Sequence, residues 1–208
     1  MTEPITEPVT AALRGAPADT GELRGRLARA AHAERLVDVA YRVVGSPIGE
    51  LLLAATPRGL AYVGFEGEDR DAVLGMLAGR LGPRVLLVPA ADGTAPHLDA
   101  AAGQVAGYLA GERRDFDLAT DPALATGFRG EVQRHLASVG YGRTSTYKEL
   151  AAELGRPGAV RAVGTACATN PLPLVWPCHR VLRSDGGLGG YRGGLEAKRR
   201  LLAMESAA

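Results

Sequence analysis

Cys178 stands between Pro177 and His179 in the run TNPLPLVWPCHRVL, residues 169–182, where almost every neighbour is apolar. A thiol beside an imidazole is the minimal activated nucleophile, because the ring can take the thiol proton and a nearby cation favours the thiolate. Arg180 follows at once, and Pro173 and Pro177 restrict the backbone on either side. Glu205, near the C-terminal end in LLAMESAA, is available as a third member that orients the histidine. The other thiol, Cys167, lies in a small-residue stretch and reads as an inert buried side chain. Cys167, Cys178 and four scattered histidines lack recognisable ligand spacing, so no metal is expected.

The elements around these residues follow from pattern. The chain has 208 residues and 46% hydrophobic content, enough for one substantial core or two small ones. Residues 1–36 read as a flexible extension with one helix-like portion, GELRGRLARAAHAERL. From Val37, three apolar runs punctuated by GSPIG and TPRG predict a β-meander. Helices are expected around 69–81 and 95–110, with a strand-like RVLLVPA between them, so residues 37–120 form an α+β domain.

Residues 121–208 read as mostly helical. FRGEVQRHLASV repeats apolar residues at helical spacing. In TSTYKELAAELG, Thr146 and Glu149 have capping-box spacing and Gly155 supplies the stop. RPGAVRAVGTACATN follows, with Pro157 near a first helical position and then small residues, so the pair reads as a helix-turn-helix. The second helix is a poor reader of base edges. Ala159, Ala162 and Gly164 with a single Arg161 suit either close approach to a narrow groove or tight packing on a neighbouring helix. Charge is divided along the chain. Residues 1–120 carry 12 Lys and Arg against 16 Asp and Glu, whereas residues 121–208 carry 12 against 7, so the basic charge sits with the cysteine. No apolar run is long enough for a membrane span and the N-terminus lacks a secretory pattern, which points to a cytoplasmic protein.

NPLPLVWPCHRVL followed by SDGGLGGYRGGLEAKRRLLAME closely resembles the active-site region of the O6-alkylguanine-DNA alkyltransferases, the methylated-DNA–protein-cysteine S-methyltransferases. GSPIGELLLAAT resembles that family's first hairpin, and GYGRTSTYKELAAELGRPGAVRAVG its helix-turn-helix. The resemblance implies a ribonuclease-H-like N-terminal domain and a monomer that needs no cofactor. It implies single-use transfer of an alkyl group from O6-alkylguanine, or O4-alkylthymine, in double-stranded DNA to Cys178, after minor-groove binding and base flipping.

It further implies that His179 is a base working through water, and that Glu205 favours the positive imidazole and so the Cys178 thiolate. Tyr147 would press the phosphate and hydrogen-bond the leaving guanine, and Asn170 would brace the turn before the cysteine. Arg161 would fill the vacated stack. Pro173, Tyr191, Arg192 and Gly193 would belong to the pocket. Trp176, Val139–Gly140 and Arg192 depart from the family's usual residues; the indole is expected to support the core and Arg192 to face solvent or phosphate. A non-catalytic lesion binder of this kind would lack the cysteine. A cysteine hydrolase would need an oxyanion hole that no motif here specifies.

Overall fold

The computed structural model describes residues 20–88 and 93–206; residues 1–19, most of the expected extension, and the end of the RVLLVPA run lie outside them. The helix-like portion forms α1 (Thr20–Ala33), which buries Ala28 and leaves Leu23 and Leu27 exposed. Its apolar residues are too sparse to cover a face.

The meander forms as β1 (Val39–Val44), β2 (Leu51–Thr56) and β3 (Gly59–Phe65), each antiparallel to the next. After α2 (Arg70–Leu81) the chain returns as β4 (Val85–Leu87), parallel to β1, giving the order β3-β2-β1-β4. Every residue of β2 and β3 is buried. Strands covered on both faces lose the polar alternation of a half-exposed sheet, which accounts for their continuous apolar runs. On one face α2 sets Val73 and Leu77 against Val39, Leu52, Ala54 and Tyr62. On the other, α3 (Pro96–Leu109) packs Leu98, Ala101, Val105 and Tyr108 into the main core.

The connection to the helical half is pinned to the sheet. Buried Asp121 accepts from Thr56 Oγ1 at 2.6 Å and Arg58 Nε at 3.0 Å, and Leu60 bridges to Thr120. Then come α4 (Gly127–His135), ending in a 3-10 turn over Leu136–Ser138, α5 (Tyr147–Glu153), α6 (Val160–Ala168) and α7 (Gly194–Ser206). The capping box at α5 is complete: Thr146 Oγ1 accepts from Glu149 N and Glu149 Oε2 accepts from Thr146 N. Gly155, at φ +68°, provides the left-handed residue that ends the helix.

One expectation shifts and one element is added. Pro157 lies in the turn, and α6 starts only at Val160, after Ala159 N closes a turn on Arg156 O at 2.8 Å. Ser145–Thr146 (β5) pairs in parallel with Val181–Leu182 (β6), a contact too short to leave alternation in the sequence. The main core is continuous from Val37 and Leu51 through Leu136 and Leu150 to Leu174, Trp176 and Leu201. The chain is therefore mixed α+β, a small sheet with helices joined to a helical half. No helix among the described residues is long and apolar enough to cross a membrane.

Candidate functional site

The cysteine segment is fixed before it reaches the thiol. Gln133, fully buried on α4, donates to Ala166 O at 2.9 Å and Thr169 O at 3.1 Å, satisfying carbonyls left open at the end of α6. Asn170 then spans the following turn, its Oδ1 accepting from Leu172 N at 3.1 Å and its Nδ2 donating to Trp176 O at 2.7 Å. Within that turn Leu174 is left-handed at φ +74° yet only 1% exposed. Such a conformation costs a non-glycine residue about 1 kcal/mol or more and persists only where packing and hydrogen bonds over-determine it. Trp176 is buried in the core, as its size requires. The chain then makes one 3-10 turn, Cys178–Arg180, all three residues buried.

Glu205 organises what surrounds this turn. On α7 the buried residues Ala197, Lys198, Leu201 and Glu205 share one face, which brings the carboxylate of the last turn against the cysteine segment. His179 Nε2 lies 2.7 Å from Glu205 Oε1. Arg180 Nε donates to Oε2 at 2.9 Å and its Nη2 to Oε1 at 3.0 Å, the paired geometry that a guanidinium makes with a carboxylate. Gly142 N donates to Oε2 at 3.0 Å, and the Tyr108 hydroxyl donates to Oε1. Arg180 Nη1 reaches Val139 O at 2.5 Å. With Nε2 held against a carboxylate, that nitrogen carries the ring proton, and Nδ1 is the basic one. Nδ1 is buried without a hydrogen-bond partner among the described residues.

Burial alone would raise the Glu205 carboxyl, but hydrogen bonds from His179, Arg180 and Tyr108 hold it at about 2. Burial pushes the His179 ring below its usual value, although Glu205 opposes that. Burial likewise pushes the Cys178 thiol up, against a hydrogen bond from Asn170 and the charges of Arg192 and Lys198. The expected resting pair of positive imidazole and thiolate is thereby corrected: in this closed site both partners favour their neutral forms, because two unscreened charges are harder to bury than none. Cys167 is also buried and raised by desolvation.

A hollow of about 490 Å³ is lined by Tyr147, Gly164, Ala168, Arg183, Gly189, Gly190, Tyr191 and Arg192. That volume falls within the roughly 300–1,000 Å³ of small-molecule sites. Cys178 is 4% exposed and is not in this lining. Burial raises the Tyr147 and Tyr191 hydroxyls; negative charge at Cys167 and then Cys178 would raise Tyr147 further, and at Cys178 would raise Tyr191. Gly189 packs against Tyr147; a Cβ there would come within 2.7 Å of the hydroxyl.

Not every residue expected in the pocket lines the hollow. Pro173 is buried in the turn and Gly193 sits on Phe65. Arg192 lines the hollow and is not a freely solvated charge: it is 18% exposed, with Nε 3.3 Å from Glu68. Solvating a lone guanidinium would forgo the carboxylate, carbonyl and ring faces that β3 and its following turn offer it.

Along α6 the exposed residues are Arg161, Ala162, Thr165 and Ala168, with Ala159 and Gly164 half-exposed, while Val163, Ala166 and Cys167 face the core. A Cβ added at Gly164 would meet nothing within 4 Å. Packing does not explain the bareness of that outer face.

Three members of the site escaped the sequence reading. Tyr108 comes from the sheet half, 97 residues from Glu205. Arg180 was visible only as a neighbouring charge. Lys198 is fully buried, with Nζ donating to Val181 O at 2.6 Å and to Leu188 O. Its spacing of seven from Glu205, two turns on one helix face, was the one available signal.

The family described as 6-O-methylguanine DNA methyltransferase, DNA binding domain, matches residues 127–207. The methylated-DNA–protein-cysteine methyltransferase of Methanosarcina barkeri is 38% identical over 167 residues, 79% of this chain and 96% of that protein. The protein of the same name from Mycolicibacterium paratuberculosis is 40% identical over 170 residues, 80% and 92% of the two chains. The chain is similar in structure to the O6-methylguanine methyltransferase of Mycobacterium tuberculosis, with a TM-score of 0.68 and 35% identity, covering 81% of this chain and 93% of that one. It matches an M. tuberculosis OGT solved in complex with DNA equally well, with the same score, identity and coverage.

The buried relay makes the fold acid-sensitive in two windows. A histidine held neutral and a carboxylate held ionised both bind protons more weakly folded than unfolded, so the unfolded chain gains protons first as pH falls. The stability that these two groups contribute is expected to be fully present above about 6.5, to decline below it as unfolded His179 is protonated, and to decline again from about 4.5 toward 2 as Glu205 follows. Glu205→Gln should cost on the order of 3 kcal/mol at neutral pH, by leaving Arg180 without its counter-charge, and should flatten the lower window. Melting temperature measured against pH for both proteins checks this; parallel curves would show that the carboxylate is not held ionised by folding.

Proposed function

The chain belongs to the methylated-DNA–protein-cysteine methyltransferases, enzymes of direct-reversal DNA repair, and from that membership we propose that Cys178 is the single-use acceptor of an alkyl group from O6-alkylguanine in double-stranded DNA. The observation that carries this is the relay at His179: Nε2 is committed to Glu205, so Nδ1 is left to take the thiol proton, directly or through one water. The sulfur then attacks the alkyl carbon, the S–C bond forming as the C–O6 bond breaks, and the electron pair leaves with the guanine. Tyr147 serves that step as donor. Its raised hydroxyl is protonated at neutral pH, and it lines the hollow that would receive the base. A thioether has no cheap route back to thiol, so each molecule acts once. Asn170 acts on the same sulfur as the brace of its turn, and its amide favours the thiolate. O4-alkylthymine presents the same alkyl–oxygen bond and falls within the same reading.

DNA contact is assigned to a helix-turn-helix made of α5 and α6, within a C-terminal domain of residues 121–208 that follows a ribonuclease-H-like domain of residues 37–120. The basic balance of the C-terminal half supports this. The open space at Gly164 and the exposed Ala162 support close approach to a minor groove, with exposed Arg161 entering the stack that the extruded base leaves. The protein would act as a monomer, as the family resemblance implies.

Two outcomes are expected. Incubated with excess O6-methylguanine DNA and followed by intact mass, the protein should gain one alkyl group per molecule and stop. Cys178→Ala should gain none, and Cys167→Ala should behave as wild type; equal loss in both would mean the wrong thiol was chosen. Arg161→Ala should slow transfer from duplex DNA by on the order of 10- to 100-fold, the cost of losing a partner for an unstacked site, and leave reaction with free O6-benzylguanine within about threefold. A parallel loss on both substrates would instead make Arg161 structural.

A further inference from the structure

Arg192 is the one charged residue in the loop GGYRGG, Gly189–Gly194, that walls the hollow. It reaches β3, the edge strand of the sheet, whose outer backbone is bridged by Thr120 at Leu60 and, among the described residues, meets no further strand beyond it. Its Nη2 donates to Val63 O, a residue 129 positions earlier. The same Val63 donates its N–H to Pro171 O at 2.8 Å, in the segment that leads to Cys178. One edge residue thus holds both the pocket loop and the cysteine segment.

Other contacts fix the guanidinium in place. Nε lies 3.3 Å from Glu68 Oε1, and the guanidinium carbon stands 4.7 Å from the Tyr62 ring centre and 5.8 Å from that of Phe65. Glu68 is itself anchored, accepting from Phe65 N and the Tyr62 hydroxyl, each at 2.7 Å. On either side of Arg192 the loop is moulded to Phe65. Tyr191 meets that ring edge-on at 5.4 Å and the His179 ring at 6.3 Å. At Gly193 a Cβ would fall 2.5 Å from the Phe65 ring.

We propose that Arg192 is a positioning residue for alkyl transfer: bridging Val63, Glu68 and the Tyr62 ring, it locks the Gly189–Gly194 loop to the sheet edge and so sets the Tyr191 wall of the base pocket beside His179. The proposal rests on the reading of Cys178 as alkyl acceptor. It gives the sheet half a defined part in the reaction, that of holding the pocket shut around a base. Arg suits the position because a planar fork can serve a carbonyl, a carboxylate and a ring face together, which a lysine cannot.

Saturation kinetics of single-turnover transfer from free O6-benzylguanine to the full chain, read by intact mass, test it. Arg192→Met should raise the half-saturating concentration about tenfold while changing the limiting rate less than about threefold, since a loosened wall weakens binding more than chemistry. Arg192→Lys should recover only part of the loss, and affinity for undamaged duplex DNA should not move. Glu68→Gln should weaken half-saturation alone and add nothing when combined with Arg192→Met, because both break one tie. An unchanged half-saturating concentration in Arg192→Met, or additive effects in the double variant, would overturn the proposal. Should Arg192→Met fail to fold, the cycle of Arg192→Lys with Glu68→Gln is read in the same way. Absence of transfer by the wild-type chain would overturn the reading of Cys178, and the positioning role with it.

Discussion

A single buried carboxylate ties the cysteine turn to the helix that backs the sheet. Glu205 accepts from His179 and Arg180 on the cysteine turn, from Gly142 N before α5, and from Tyr108 on the helix that backs the sheet. Taking it out of water costs several kcal/mol, and only a full set of donors makes that tolerable. The donors come from three separate stretches of chain, so the carboxylate has its full set only when all three have docked. Continuity of the core from sheet to helices has the same origin, since Tyr108 is at once a core side chain and a donor to this charge.

The same burial sets the chemistry. Desolvation raises the thiol and lowers the imidazole, so the resting pair is neutral and the thiol is protected from adventitious reaction. Neutral does not mean idle. A negative charge fixed on one side of the imidazole stabilises positive charge appearing on the ring as it takes a proton, and that help is present before the reaction starts. Arg180 limits it by sharing the carboxylate, while the charge of Lys198, buried and tied to two carbonyls, favours the thiolate once formed. A protein that acts once gains from such an arrangement, since an unproductive alkylation would end its use.

Much of this was legible in the sequence wherever the signal is local. The meander, the capping box of Thr146 and Glu149, the stop at Gly155 and the adjacency of Cys178 and His179 each lie within a few residues, where spacing alone carries meaning. Glu205 was visible as an available third member, its place beside His179 came only through the family resemblance, and its burial left no local signal. Tyr108 and Gln133 left no signal, because contacts across 97 and 33 residues depend on how helices dock and not on any period. Arg192 was misjudged for the same reason: a charge in a glycine-rich loop reads as solvated until the sheet edge beside it is known. The β5–β6 pair is two residues long on each side, below the length at which alternation exists.

The central claim is that the Glu205 charge makes His179 a strong enough base to activate Cys178. Single-turnover alkyl transfer measured against pH, in wild type and in Glu205→Gln at a temperature where both are folded, tests it directly. The variant should be slower at pH 7 by on the order of 100-fold, the usual worth of a positioned base. The gap should close only as pH rises past the ordinary thiol value of ~8.5, because burial holds the Cys178 thiol above it and only then does hydroxide remove the proton without help. Profiles that superimpose across the range would contradict the relay and reduce Glu205 to a structural ion-pair partner of Arg180.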